Sequence, residues 1–355
     1  MESQKRLINI DLLRILACLF VVIAHASSGA SCADLTSAQG ITLHTFNAVG
    51  HTGTVLFFFI SGMFLLSEDY NFTFKKFYKN NFLRLLVAYI AWVIIYHAVG
   101  FLIRGVYTPA HLKDAITNII YGKVYYHFWY LPMLLGIYLL LPFLRAICHA
   151  GKKLVFYFVI LFLVIQVIFP TIFIFDFPYK YYLLSIVTRI PFTLINHHVG
   201  YFVLGYALSL LLKDNKIKKP RRLACILIII GPIISLLGDY LLTLQRGYHE
   251  VTFNTVFSAT LCMSVIGWFI LFHEWNLSLA EKTANRITGI SRLTFGIYIL
   301  HPLVINYATE WIPYFQENET VLSAILMTLL AFSVSFVLTW LLSLIPFIRK
   351  WILFA

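Results

Sequence analysis

Three ionisable residues, Asp11, Arg14 and His25, stand inside the first long apolar stretch of this sequence. Charges in such a place are expensive, so each calls for a function or a partner. At about 100° per residue, the eleven steps from Arg14 to His25 return to within roughly 20° of the same helix face. Asp11 and Cys18 fall near that stripe. A rise of about 1.5 Å per residue separates Arg14 from His25 by roughly 16 Å along the axis. A fixed guanidinium suits a phosphate-bearing ligand. An imidazole in a protected pocket suits general-base chemistry, because its pKa lies near working pH. A plainer account stays open: Asp11 and Arg14 pair at a membrane interface, Arg14 snorkels, and His25 bonds a neighbouring helix.

A second polar face lies near the other end of the chain. Ser291, Thr294, Tyr298 and His301 follow spacings of three, four and three, which places them on one side of a helix. Interhelical hydrogen bonding is the ordinary occupation of Ser291 and Thr294. Tyr298 and His301 are candidates for a substrate pocket, with His301 at mid-depth just before Pro302, where a kink is expected. His127 and Trp129 are expected at the outer interface, where an aromatic belt is the ordinary account and acceptor binding the functional one. Arg189 with His197 and His198 is expected at the outer rim. Ser61 beside Gly62 reads as a close helix contact.

The elements that position these residues follow from composition. Of 355 residues, 60% are hydrophobic and only 12% are charged, and the mean hydropathy is +0.84. One soluble core cannot hide so much apolar surface. The composition excludes an ordinary soluble enzyme, a disordered chain and a disulfide scaffold. It implies an all-α, polytopic integral membrane protein. Ten segments reach the roughly 20 apolar residues that a span requires: 8–28, 43–66, 82–103, 125–148, 154–176, 190–212, 223–243, 252–272, 289–308 and 321–347. They leave no room for a separate soluble domain, so 1–355 is expected to be one membrane-embedded unit. The charges in the first span argue against a cleaved signal peptide. Cys32 stands alone in a loop, and no cysteine spacing suggests a metal or a disulfide framework.

The net charge of +12 would suggest nucleic acid in a soluble protein. Its distribution gives a different answer. With the N-terminus inside, 20 of the 27 Lys and Arg residues fall on the cytoplasmic side and 6 outside. That asymmetry is the orientation signal of a membrane protein with both termini cytoplasmic, and it removes the case for nucleic acid. Only Arg14, within the first span, escapes the rule.

The order of motifs resembles the membrane-bound acyltransferase 3 family. Ile10-Asp11-Leu12-Leu13-Arg14, Ala17, Val21-Val22 and His25 are similar to its first helix, including the spacing from arginine to histidine. Leu56 to Gly62 resembles its phenylalanine-rich run ending in Ser-Gly. Tyr126 to Leu131, Tyr201 to Tyr206 and Ser291 to Pro302 resemble later signatures. The first and ninth helices are the specific signals. Within the family the likeness is nearest to bacterial O-acetyltransferases of surface glycans such as enterobacterial common antigen.

The resemblance implies acyl transfer, usually of acetyl, from cytoplasmic acyl-CoA (acetyl-CoA by that likeness) to a hydroxyl of a glycan or lipid-linked saccharide across a bacterial inner membrane. On that reading His25 is the general base, Asp11 orients Arg14, and Arg14 engages the CoA phosphates or the thioester arm. Tyr298, His301, His127 and Trp129 are the acceptor-side candidates. No metal is expected, and the remaining partners are membrane lipids. The family often carries a close arginine pair entering the third span, and this chain lacks it. Either Arg84 with Lys79 takes that role, or the cluster from Lys75 to Arg84 only marks the inner side. The absence of G-x-S-x-G favours direct transfer over an acyl-serine. A transporter or flippase, or a sensor domain without turnover, is the competing reading. Paired broken helices would support the transporter, and the glycines and prolines do not pair that way.

Overall fold

Local chemistry sets where the apolar stretches become helices. In the computed structural model, which describes residues 7–29, 34–104, 113, 117, 125–189 and 198–354, the described elements are helical. They are α1 (Ile8–Ala26), α2 (Ala38–Leu65), α3 (Phe74–Ile103), α4 (Tyr130–His149), α5 (Lys152–Ile172), α6 (Lys180–Arg189), α7 (His198–Lys213), α8 (Pro220–Arg246), α9 (Ala259–His273), α10 (Glu281–Trp311), α11 (Pro313–Glu317), α12 (Val321–Ser343) and α13 (Pro346–Trp351). Ser37, Ser258 and Thr320 cap α2, α9 and α12 by accepting amides of the first turn, which satisfies donors the helix cannot. Prolines open α8, α11 and α13, where a missing N–H costs nothing.

Among the described residues, nine helices are long and apolar enough to cross a membrane: α1 to α5, α8, α9 with its lead-in turn, α10 and α12. The protein is therefore a polytopic, all-helical membrane protein. The tenth expected span, 190–212, is seen as the 16-residue apolar helix α7; residues 190–197, His197 among them, lie outside the described residues, as does Cys32. His198, expected at a rim, is buried against Phe58, Trp129 and Phe257. Two further boundaries move. Helix α3 begins at Phe74 and passes through a wide turn at Tyr78–Phe82. Helix α10 begins at Glu281, eight residues before the expected 289.

Helix α2 is the hub, touching α1, α7, α8, α9 and α12. Its approach to α7 is reciprocal. Gly62 lies on the backbone at Phe202, and Gly205 lies on the backbone at Phe59. A Cβ at either glycine would collide with main chain, which cannot rotate away. Lipid offers no hydrophobic incentive for helices to associate, so such close approach supplies the dispersion contacts. Gly53 brings α2 against α1 at Ala17 in the same manner. Helix α1 is thereby held between α2 on one side and α10 and α12 on the other.

Candidate active site

The two polar faces found in the sequence meet. Asp11, Cys18 and His25 recur every seven residues along α1, a repeat that keeps one seam of a helix against its neighbour. Opposite them on α10 stand Thr288 and Ser291, then Thr294, then His301. Residue numbers rise together along the seam, so the helices run parallel. The Ser291 hydroxyl donates to Asp11 Oδ1 at 2.8 Å and the Thr288 hydroxyl to Oδ2 at 2.9 Å. The Cys18 thiol lies 3.5 Å from the Thr294 carbonyl. The His25 and His301 rings stack with centroids 5.4 Å apart.

At the arginine end, Asp11 is buried and Arg14 is partly exposed, with Nη1 3.6 Å from Asp11 Oδ1. The guanidinium also sits over the Phe64 ring, 5.2 Å from its centroid. A buried carboxylate is tolerable because hydroxyls and a cation satisfy its lone pairs. Arg14 borders a cavity of about 490 Å³ together with Tyr130, Tyr138, Ser291, Arg292, Tyr298 and Phe354. That volume lies within the usual range for a small-molecule site.

At the histidine end, His301 is fully buried between two other imidazoles. His25 stacks on one side, and the His127 ring lies 5.8 Å away. His301 Nδ1 is 3.2 Å from the Ile297 carbonyl. A carbonyl only accepts, so the hydrogen of the neutral ring sits on Nδ1 and the lone pair on Nε2. Nε2 has no hydrogen-bond partner among the described residues. Pro302 has no amide to give the Tyr298 carbonyl, and the His301 imidazole occupies that neighbourhood. Tyr298 links the two ends: it borders the cavity, and its hydroxyl donates to the His127 carbonyl at 2.6 Å. Tyr126 stands 4.6 Å from the His25 ring. Among the described residues no group of three or more His, Cys, Asp or Glu could hold a metal ion.

Several sequence expectations change position. His301 is expected at mid-depth and His25 near the outer end; the structure stacks their rings, so the two stand at one level of the bundle. His127 was expected in an interfacial belt. It is buried, because residues 125–129 turn inward before α4 and press His127 and Phe128 against Tyr96 and Tyr298. Trp129 is partly exposed, and its ring lies tilted 4.8 Å from that of His198. Arg84 donates through Nε to the Lys350 carbonyl at 2.7 Å, donates again through Nη2, and lies over the Phe354 ring. Lys79 is exposed in the wide turn of α3 and lies outside the described cavity lining.

Thr288 was legible in the sequence, since it extends the face of Ser291 by one more step of three. Arg292 was seen only as an orientation charge. Tyr126 and Tyr130 were seen only as members of the Tyr126 to Leu131 signature, and Tyr138 carried no signal beyond the general abundance of aromatics.

A family model described as an acyltransferase domain matches residues 7–344, nearly the whole chain. No curated protein and no solved structure matches. The matched span contains both polar faces and the cavity between them, apart from Phe354. The chain belongs to the acyltransferase 3 family and is a membrane acyltransferase acting on groups other than amino-acyl groups.

Proposed function

We propose that the protein is an O-acyltransferase of a bacterial inner membrane, with both termini cytoplasmic. It moves an acetyl group from cytoplasmic acetyl-CoA to a hydroxyl of a surface glycan or its lipid-linked precursor. The observation that carries this reading is the parallel register of α1 and α10. It sets a guanidinium and a buried carboxylate at one end of a seam and two stacked imidazoles at the other, with a cavity alongside. A donor with phosphates at one end and a thioester at the other fits that polarity.

In the step so derived, the acceptor oxygen attacks the thioester carbonyl while His25 takes its proton. The tetrahedral intermediate expels the thiolate, and the imidazolium of His25 returns the proton to sulfur. The products are the ester and CoA thiol, and no proton is gained or lost. Arg14, oriented by Asp11, engages the phosphates or the thioester arm. His301, with its Nδ1 hydrogen held by Ile297, offers Nε2 to an acceptor hydroxyl, and Tyr298 fixes the turn that carries His127. Trp129 supports acceptor binding from the half-exposed side.

Reconstituted protein supplied with labelled acetyl-CoA on the Arg14 face tests this. Release of CoA that depends on a glycan acceptor is expected. Movement of acceptor across the bilayer without CoA release would sink the reading.

A further inference from the structure

A second cavity, of about 680 Å³, opens beside the first. It lies among the start of α10, the end of α12 and α13, and its walls include Arg286, Arg292, Arg349, Trp340 and Ser343. Arg292 borders both cavities. The three arginines form no ion pair with a carboxylate among the described residues. The three side chains are exposed, so water screens them from one another, and the hollow they share is a favourable place for an anion. Guanidinium forks match phosphate oxygens in pairs. Trp340 is half exposed and adds a flat aromatic face, the kind of surface on which a nucleobase stacks.

The wall from Arg349 onward belongs to a segment past residue 344, where the family match ends. This segment is anchored deliberately. Arg84 holds the Lys350 carbonyl and covers Phe354, and the Trp92 indole donates to the Ile352 carbonyl at 3.1 Å. The same segment therefore brings Arg349 to the second cavity and Phe354 to the first.

We propose that Arg286, Arg292 and Arg349 hold the phosphates of the donor's nucleotide, with its base against Trp340, and that residues 346–354 are a working wall of the donor site. This rests on acyl-CoA being the donor. It also gives Arg84 a positioning role in place of direct contact: it sets Arg349 and Phe354. The phosphate esters of anionic lipid headgroups share the relevant chemistry. Arg292, which borders both this cavity and the Arg14 cavity, favours the nucleotide, because a headgroup has no arm to reach past it.

The test uses the full chain in nanodiscs of phosphatidylcholine alone, with CoA and adenosine 3′,5′-bisphosphate as titrated probes. Arg286→Ala and Arg349→Ala are each expected to weaken both probes by about 10-fold or more. Arg349→Lys should recover part of the loss, with melting midpoints matching the parent. If Arg349→Ala loses its melting transition, Arg349→Gln replaces it, keeping a polar side chain without the charge. Unchanged affinity in the folded variants overturns the proposal. So does loss of phosphatidylglycerol binding by the variants in companion nanodiscs containing that lipid, with nucleotide affinity intact, which would mark a lipid site. Nucleotide binding that depends on these arginines, in protein that never releases CoA to an acceptor, supports this site and sinks the transferase reading. Full acetyl transfer that is indifferent to them does the reverse.

Discussion

The two ends of the seam between α1 and α10 are built on opposite principles. The arginine end is charged and open: Arg14 is about one-third exposed, and Arg292 faces two cavities. The histidine end is more enclosed: His301 and His127 are buried among tyrosines, with His25 partly buried beside them. The difference is instructive because, on the proposed function, each end matches the cost of its own task. A phosphate ligand arrives with its charge and must be met by fixed cations near water. A base must present a lone pair, and an enclosed pocket keeps water from competing for it. Asp11 belongs to the first end but serves both, since its bonds to Thr288 and Ser291 set the register that brings His301 to His25.

The strongest way to break this comparison is at the histidine end. His25→Ala should lower turnover by about 10²–10⁴-fold, the span of a general base, while folded protein persists in the membrane. Measured CoA release near the parent rate would move the base elsewhere. At the other end, Asp11→Ala strips the seam of its buried acceptor. It is expected to cost about 3–5 kcal/mol of stability, read as a fall in the melting midpoint in detergent. Arg14→Ala should raise the donor KM by about 10- to 100-fold and leave the acceptor KM nearly unchanged. A rise confined to the acceptor would reverse the assignment of the two ends. Ser291→Ala removes one of the hydroxyls on Asp11. It should cost about 1.5–3 kcal/mol in the same melting assay, less than Asp11→Ala because Thr288 remains. The smallest effect is expected for Arg84→Lys, which keeps one donor to Lys350 but loses the fork. A donor KM raised a few-fold with kcat preserved would fit a positioning role.

Much of this molecule could be read before any coordinates. Asp11, Arg14 and His25 on one face followed from 3.6 residues per turn, and the face of Ser291, Thr294, Tyr298 and His301 followed likewise. The spans followed from apolar length. Misplacements arose where tertiary contacts decide. His127 looked interfacial because its neighbours are aromatic, yet the turn at 125–129 buries it. Lys79 and Arg84 looked like a pair because they are close in sequence, yet Arg84 turns to residues 350 and 354. Residues near the end of the chain gave no hint that Phe354 would border the cavity.

The sequence by itself determined that the chain is a helical membrane protein, which residues share a helix face, and to which family it belongs. Periodicity and apolar length are local properties, and they survive without knowing any neighbour. Only the tertiary structure decided that the two faces oppose each other in parallel, at the register fixed by Asp11. It alone brought Arg286, Arg292 and Arg349 around one hollow. Those meetings join helices well separated along the chain, by 280 residues for Ser291 and Asp11, through hydrogen bonds and glycine contacts, and no local pattern encodes which glycine will lie on which backbone.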